Sequence, residues 1–215
     1  MPDSIVFVGT THVDRRGPQR LSSMLGLLQP DIIAIEIDTK RAQYLDRWLA
    51  DPPARVSAFL KKYPHSYPET VAWIVKNYVY EYRESGDYCA QSDAHIAYVD
   101  DEVKGRSWRP SSKIESLITR PLPGLWALGN MLYHKKNISD ERIIPWLQAR
   151  DDNMERNIRA LSGRVCFVGG HGHVFAEYGN LYDRFADSDV ARYSLNMVGS
   201  PNWMKRVERA LPIRW

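Results

Sequence analysis

Val165-Cys166-Phe167-Val168-Gly169-Gly170-His171-Gly172-His173 is the stretch on which the fold turns. A short apolar run that stops at glycine suits a strand buried on both faces, and such strands belong to parallel sheets. The chain opens with the same arrangement: Ile5-Val6-Phe7-Val8 stops at Gly9, and Thr10-Thr11-His12 follows. Each unit is a buried strand that delivers a glycine turn and then a histidine. The two can be read as related strand-Gly-His halves of one α/β fold.

Around these units the period of the apolar residues alternates between strand and helix. Pro18 to Leu28 carries Leu21, Met24, Leu25 and Leu28 at helical spacing, and Ile32 to Ile37 reads as a second buried strand. Lys40 to Leu49 is again helical through Tyr44, Leu45 and Trp48. Strand, helix, strand, helix implies a central, mostly parallel sheet flanked by helices with right-handed crossovers. Further along, Val71 to Tyr82 reads as an aromatic-rich helix and Ile96 to Val99 as a third strand ending at Asp100-Asp101.

Ser139 is the best-placed N-cap for a long helix reaching about Leu161, on the spacing of Ile143, Ile144, Leu147, Met154, Ile158 and Leu161. Pro145 is tolerated only near that helix's start. Asn180 to Phe185 is assigned to a following helix, Tyr193 to Val198 to a last strand, and Trp203 to Leu211 to a terminal amphipathic helix. The 215 residues form a single domain in this reading, with 51–140, punctuated by Pro52, Pro53, Pro64 and Pro68, as a less regular, helix-rich insertion.

Composition narrows the function classes. With 44% hydrophobic and 26% charged residues the chain is globular, and at this length it buries roughly 70% of its unfolded surface without disulfides. Of the two cysteines, Cys166 lies inside an apolar run and reads as a buried free thiol. The net charge of +3 is nearly balanced and has no Lys/Arg block, so nucleic acid is not an expected partner. No window approaches the roughly 18 apolar residues of a membrane span, and the N-terminus lacks a secretory pattern. A cytoplasmic location is expected. The aromatics from Trp73 to Tyr88 serve packing or an interface, the latter giving a homodimer.

Ligands of open parallel sheets bind at the carboxyl ends of the strands. His12, Glu36, Asp38 and His173 all lie at or just beyond such ends, as does Asp100. Gly9 and Gly170 permit the tight turns that would bring the histidines to the crevice. Glu36 and Asp38 fall on the same strand face, where a carboxylate needs a cation, a metal or a hydrogen-bond partner. For Asp38 the simpler use is a salt bridge with Arg41. His171 and His173, one residue apart in a glycine-rich bend, can present imidazoles to a metal, or the glycines can bring backbone N–H groups to an anion. Imidazole plus carboxylate suits Zn, Mn, Co or Fe. Arg150-Asp151 can be a solvated ion-pair face, and His65 and His134 read as surface residues.

At these positions the chain resembles the TraB/PrgY family, within the group that includes the TIKI metalloproteases and the erythromycin-esterase and ChaN-like proteins. Gly9-Thr10-Thr11-His12-Val13 is similar to the family's Gly-Thr-Ala-His-Val, and Pro30-Asp31, Glu36-Ile37-Asp38 and Arg41 to its Pro-Asp, Glu-Leu-Asp and Arg. Arg150-Asp151-Asp152-Asn153-Met154 and Gly170-His171-Gly172-His173-Val174 match two further motifs. The resemblance implies an α/β core and a site of His12, Glu36, Arg150 and His173. In such relatives these motifs serve metal-dependent peptide cleavage, peptide-pheromone shutdown, lactone hydrolysis or haem binding. Thr11 replaces the family's alanine, and His171 replaces a small residue.

The function expected from the sequence is metal-dependent hydrolysis of a peptide or other acyl substrate. A divalent Mn, Co or Zn would be held by His12 and His173 with Glu36 or His171, with Glu36 alternatively the general base and Arg150 an oxyanion stabiliser. Asp38, Arg41, Gly9, Gly170 and Asp100 would line the substrate side. The competing expectations are a non-catalytic peptide-binding protein and a haem-binding protein.

Overall fold

The computed structural model describes residues 1–12, 14–101, 144–176 and 179–195. Five strands form one all-parallel sheet in the order β3-β2-β4-β1-β5. They are β1 (Ser4–Thr10), β2 (Ile32–Ile35), β3 (His95–Tyr98), β4 (Arg164–Gly170) and β5 (Val190–Ser194). Seven helices flank it among the described residues: α1 (Gly17–Leu28), α2 (Thr39–Leu49), α3 (Pro52–Lys62), α4 (Pro68–Asn77), α5 (Tyr80–Cys89), α6 (Ile144–Arg159) and α7 (His171–Phe175). A 3-10 turn covers Tyr182–Phe185.

The expected α/β architecture is therefore present, and the two strand-Gly-His units lie side by side. β1 and β4 pair in register, with Gly9 opposite Gly169 and Thr10 opposite Gly170. The central strands β1, β2 and β4 are largely apolar because both faces are covered. Val6, Val8, Ile33, Ile35, Cys166 and Val168 pack against α1, α2, α4 and α5. Ile5, Phe7, Ile32, Ala34, Val165 and Phe167 pack against α6, through Met154 and Ile158, and against Phe185 of the 3-10 turn. Cys166 is buried and unpaired, and burial pushes its thiol up to about 12.

Several boundaries differ from expectation, each for a local reason. β2 stops at Ile35, so Glu36 and Asp38 are not strand residues sharing a face. Asp38 is instead the N-cap of α2, its carboxylate accepting from the Arg41 backbone N–H at 2.8 Å. The helix expected from Val71 to Tyr82 is two helices, broken at Tyr78 and Val79. At the end of α4 the Asn77 side chain donates to the Trp73 carbonyl, the local competition by which Asn weakens helix continuation.

β5 begins at Val190, three residues before the expected strand, and its pairing partner is β1. As an edge strand it alternates buried Ala191 with exposed Arg192, which hides it from a search for apolar runs. The region expected as a less regular insertion contributes α4 and α5 directly to the core, through Val71, Ile74, Val75 and Tyr80. Residues 102–140 of it lie outside the described residues, as do Ser139, His134 and the expected terminal helix 203–211. Among the described residues no helix is long and apolar enough to cross a membrane.

Candidate active site

The carboxyl ends of β2, β3 and β4 meet the inner face of α6, and a cluster of charged side chains fills the junction. Glu36 follows the last residue of β2 and continues the parity of Ile32 and Ala34, so it rises on the α6 side. One Glu36 oxygen, Oε2, accepts from the Gly170 backbone N–H at 2.6 Å. The other, Oε1, lies 2.7 Å from an Arg150 terminal nitrogen and 3.2 Å from His173 Nε2. Gly169 makes the room: a Cβ there would stand 2.5 Å from the Phe167 ring and 3.0 Å from Glu36 Oε2.

Arg150 and Asp151 both point inward from α6. The same Arg150 nitrogen that meets Glu36 donates to Asp100 Oδ2 at 2.6 Å, at the end of β3. Arg41, from the first turn of α2, donates to the Glu36 carbonyl at 3.3 Å and lies 3.5 Å from Asp100. Asp151 is fully buried, and its Oδ1 is 2.5 Å from His173 Nδ1. His173 sits in α7, one residue after Gly172, with its side chain only 5% exposed. Its two ring nitrogens thus face two carboxylates, and Nε2 also lies 3.4 Å from Arg150 Nη1.

The cluster balances three acids, Glu36, Asp100 and Asp151, against three bases, Arg41, Arg150 and His173. Burial opposes the charge on His173, but Glu36 and Asp151 outweigh it and raise the imidazole to about 9. Burial would likewise raise the Glu36 carboxyl, yet His173 and Arg150 hold it well below the ordinary carboxylate range. Asp100 moves upward because burial prevails over the pull of Arg150. Burial lowers Arg41, whereas Glu36 and Asp100 raise Arg150 against its own desolvation. Several ions held away from water cost several kcal/mol each unless well paired, and a cluster of such charge-perturbed groups at strand ends is a candidate functional site.

His12 takes a different place. Thr10 shares its sheet face with Val6 and Val8, opposite Glu36, and His12 follows on that side. The His12 Nδ1 lies 2.9 Å from Glu81 Oε1. Glu81, buried on α5, also contacts the Thr10 hydroxyl at 3.0 Å, and that hydroxyl is 3.0 Å from the Gly169 carbonyl. His171 is exposed and stacks on Phe175 at 4.6 Å between ring centroids. Gly9 lies under that same ring: a Cβ there would be 2.9 Å from Phe175.

The structure thus joins Glu36, Arg150, His173, Arg41, Asp100 and Gly170, and sets His12 and His171 apart in other contacts. Neither a protein-family model nor a curated protein matches the chain. Among solved structures, that of the type III effector HopBA1 is similar at 16% identity, over 79% of this chain and 67% of that one, with a TM-score of 0.33.

The donors do not suit a divalent metal as they stand. The Arg150 guanidinium occupies the position between Glu36 and Asp100 that a cation would take, and both nitrogens of His173 are engaged. Among the described residues no three of His, Cys, Asp and Glu are grouped to hold a metal ion. Arg150-Asp151, allowed by the sequence as a solvated ion-pair face, is instead buried, and Glu81 is a participant that no motif pointed to. Asp151 had a signal: it falls four residues after Leu147 and three before Met154, on the buried stripe of α6. Glu81 lies among aromatics with no spacing that singles it out.

Proposed function

We propose that the chain is a hydrolase of peptide or other acyl substrates, and that the Glu36–His173–Arg150 cluster performs the chemistry without a metal in the reacting position. The observation that carries this reading is Glu36 Oε1, a carboxylate oxygen held between His173 Nε2 and Arg150 at 3.2 and 2.7 Å. A substrate carbonyl oxygen that takes over those two donors would release Oε1 to accept a proton from water.

The steps follow from the protonation states. Water attacks the acyl carbon and gives its proton to Glu36, while Arg150 and protonated His173 stabilise the oxyanion that forms. As the tetrahedral species collapses, the bond to the leaving group breaks and that group takes the proton from His173 Nε2. The proton on Glu36 then passes to Nε2 across the existing contact, and the cluster returns to its starting charge. Asp151 holds the Nδ1 proton throughout, fixing the ring as the aspartate of a catalytic triad does. The motifs similar to those of TraB/PrgY relatives support peptide or lactone substrates. His12, directed to Glu81 on the other sheet face, stands outside these steps.

A panel of p-nitrophenyl esters and aminoacyl p-nitroanilides, with purified wild type, Glu36→Gln and His173→Asn, tests the reading. Turnover by wild type that falls by about 10²-fold or more in both folded variants is the expected result. Equal turnover in all three would assign the hydrolysis elsewhere. Peptide retained on the wild-type protein with no product formed would favour the binding function instead.

A further inference from the structure

A second polar surface shares no residue with the Glu36–His173 cluster. Arg15 and Arg16, in the turn that leads from His12 into α1, face Trp73 and Lys76 of α4 and Arg83 of α5 across an open cleft of about 510 Å³. That volume lies within the roughly 300–1,000 Å³ typical of small-molecule sites. Four of the nine residues lining it are basic and none is acidic.

The nearby carboxylates are turned to other partners. Asp14 receives Arg20 at 2.8 Å and the Arg16 backbone N–H at 2.9 Å. Glu84 receives the Arg83 guanidinium at 2.6 Å. Arg83 is further fixed by the Lys76 carbonyl at 2.6 Å and Asn77 Oδ1 at 3.3 Å, so it forms a rigid wall. Arg15, Arg16 and Lys76 are exposed and supply the positive charge of the cleft, with the half-buried Trp73 indole beside them.

We infer that this cleft binds a phosphate-bearing small molecule carrying at least two negative charges. Adjacent guanidinium forks match phosphate oxygens in paired geometry, and a lysine adds a compact third charge. Trp73 offers a flat apolar surface to a planar group on the same ligand. A long nucleic acid fits less well, because its binding needs a run of cations along the surface, whereas these converge on one cleft in a chain of net charge +3.

The test uses the full chain and calorimetric titration with inorganic pyrophosphate, adenosine 5′-diphosphate and citrate. Pyrophosphate and the diphosphate are expected to bind at one site per chain, the nucleotide more tightly, and citrate at least tenfold more weakly. Arg15→Ala/Arg16→Ala should weaken both phosphate ligands about tenfold or more. Lys61→Ala/Lys62→Ala, which removes the same two charges from α3, should leave binding unchanged. Lys76→Glu provides a second cleft variant should the first fail to fold.

Four results would overturn the inference. One is no saturable binding of either phosphate compound. A second is equal loss in the α3 control, which would mean bulk charge alone. A third is citrate binding as tightly as pyrophosphate. The fourth is a single-stranded oligonucleotide that outcompetes the diphosphate with a steep salt dependence. None of these measurements involves hydrolysis, so failure here is separate from failure of the proposed activity.

Discussion

Asp151 Oδ1 and His173 Nδ1 face each other at 2.5 Å at the base of the cluster, with the aspartate wholly buried. The pair fixes which imidazole nitrogen meets Glu36. Asp151→Asn keeps a hydrogen-bond acceptor but removes the charge. The His173 pKa is expected to fall from about 9 toward or below its ordinary range, because burial, which opposes the imidazolium, would lose one of its two opponents. Titration of the ring resonances by NMR reads this directly. An unchanged His173 titration in a folded Asp151→Asn protein would remove the pair from the mechanism.

The same raised pKa fixes a dependence of stability on pH. The folded chain holds the His173 proton more tightly than the unfolded chain, so this contribution is fully present below about 6.5. It is lost as pH rises through about 9. The shift corresponds to roughly 3 kcal/mol at the low-pH end. Glu36 acts in the opposite direction: its lowered pKa contributes stability above the ordinary carboxylate value that disappears on acidification. Urea unfolding between pH 6 and 10 should show falling stability in wild type and a flatter profile in Asp151→Asn. A wild-type profile flat over that range would contradict the assignment.

The two strand-Gly-His units were legible because strands buried on both faces and cut short by glycine leave little choice of element, and they proved to be neighbours in register. Glu36 was legible as a carboxylate at the end of an apolar run, where burial demands a partner. The residues alone left that partner open, and it was the family resemblance that put Arg150 in the same site. Arg150 lies 114 positions further on, and only the fold brings its guanidinium to Glu36.

His12 illustrates the opposite failure. Its turn resembles that of His173, but Thr10 and Glu36 leave the sheet on opposite faces, and a buried glutamate from α5 takes the His12 ring. The two similar turns present their histidines to different carboxylates, Glu81 for His12 and Asp151 and Glu36 for His173. Asp38 likewise had a local use, capping α2, that competes with any role in the crevice.

Arg150 holds two carboxylates apart from water and together with each other. Arg150→Met would leave Glu36 and Asp100 buried beside an uncharged side chain, with Arg41 and His173 as the remaining cations. Losing one partner of a buried ion pair costs about 3–5 kcal/mol, and urea unfolding should register a loss of that order with an unchanged slope. Arg150→Lys keeps the charge but not the fork, and should recover only part of it. A loss below about 1 kcal/mol in Arg150→Met would mean that the carboxylates are held by other groups.

Metal content separates the chemistry proposed above from the one expected of the sequence. Glu36 and Asp100 already share a guanidinium, and His12 is directed to Glu81 rather than to His173. Untagged wild-type protein is therefore expected to hold Mn, Co and Zn at well below one equivalent by mass spectrometry. Any hydrolysis should survive dialysis against a chelator. One equivalent of metal, lost in both His12→Ala and His173→Ala, would require Arg150 to swing out of the cluster and the two turns to close on one ion. It would replace the Arg150-centred mechanism with water activated on the metal. Metal lost in His173→Ala but retained in His12→Ala would leave the α6 side as the metal site and keep His12 in its contact with Glu81.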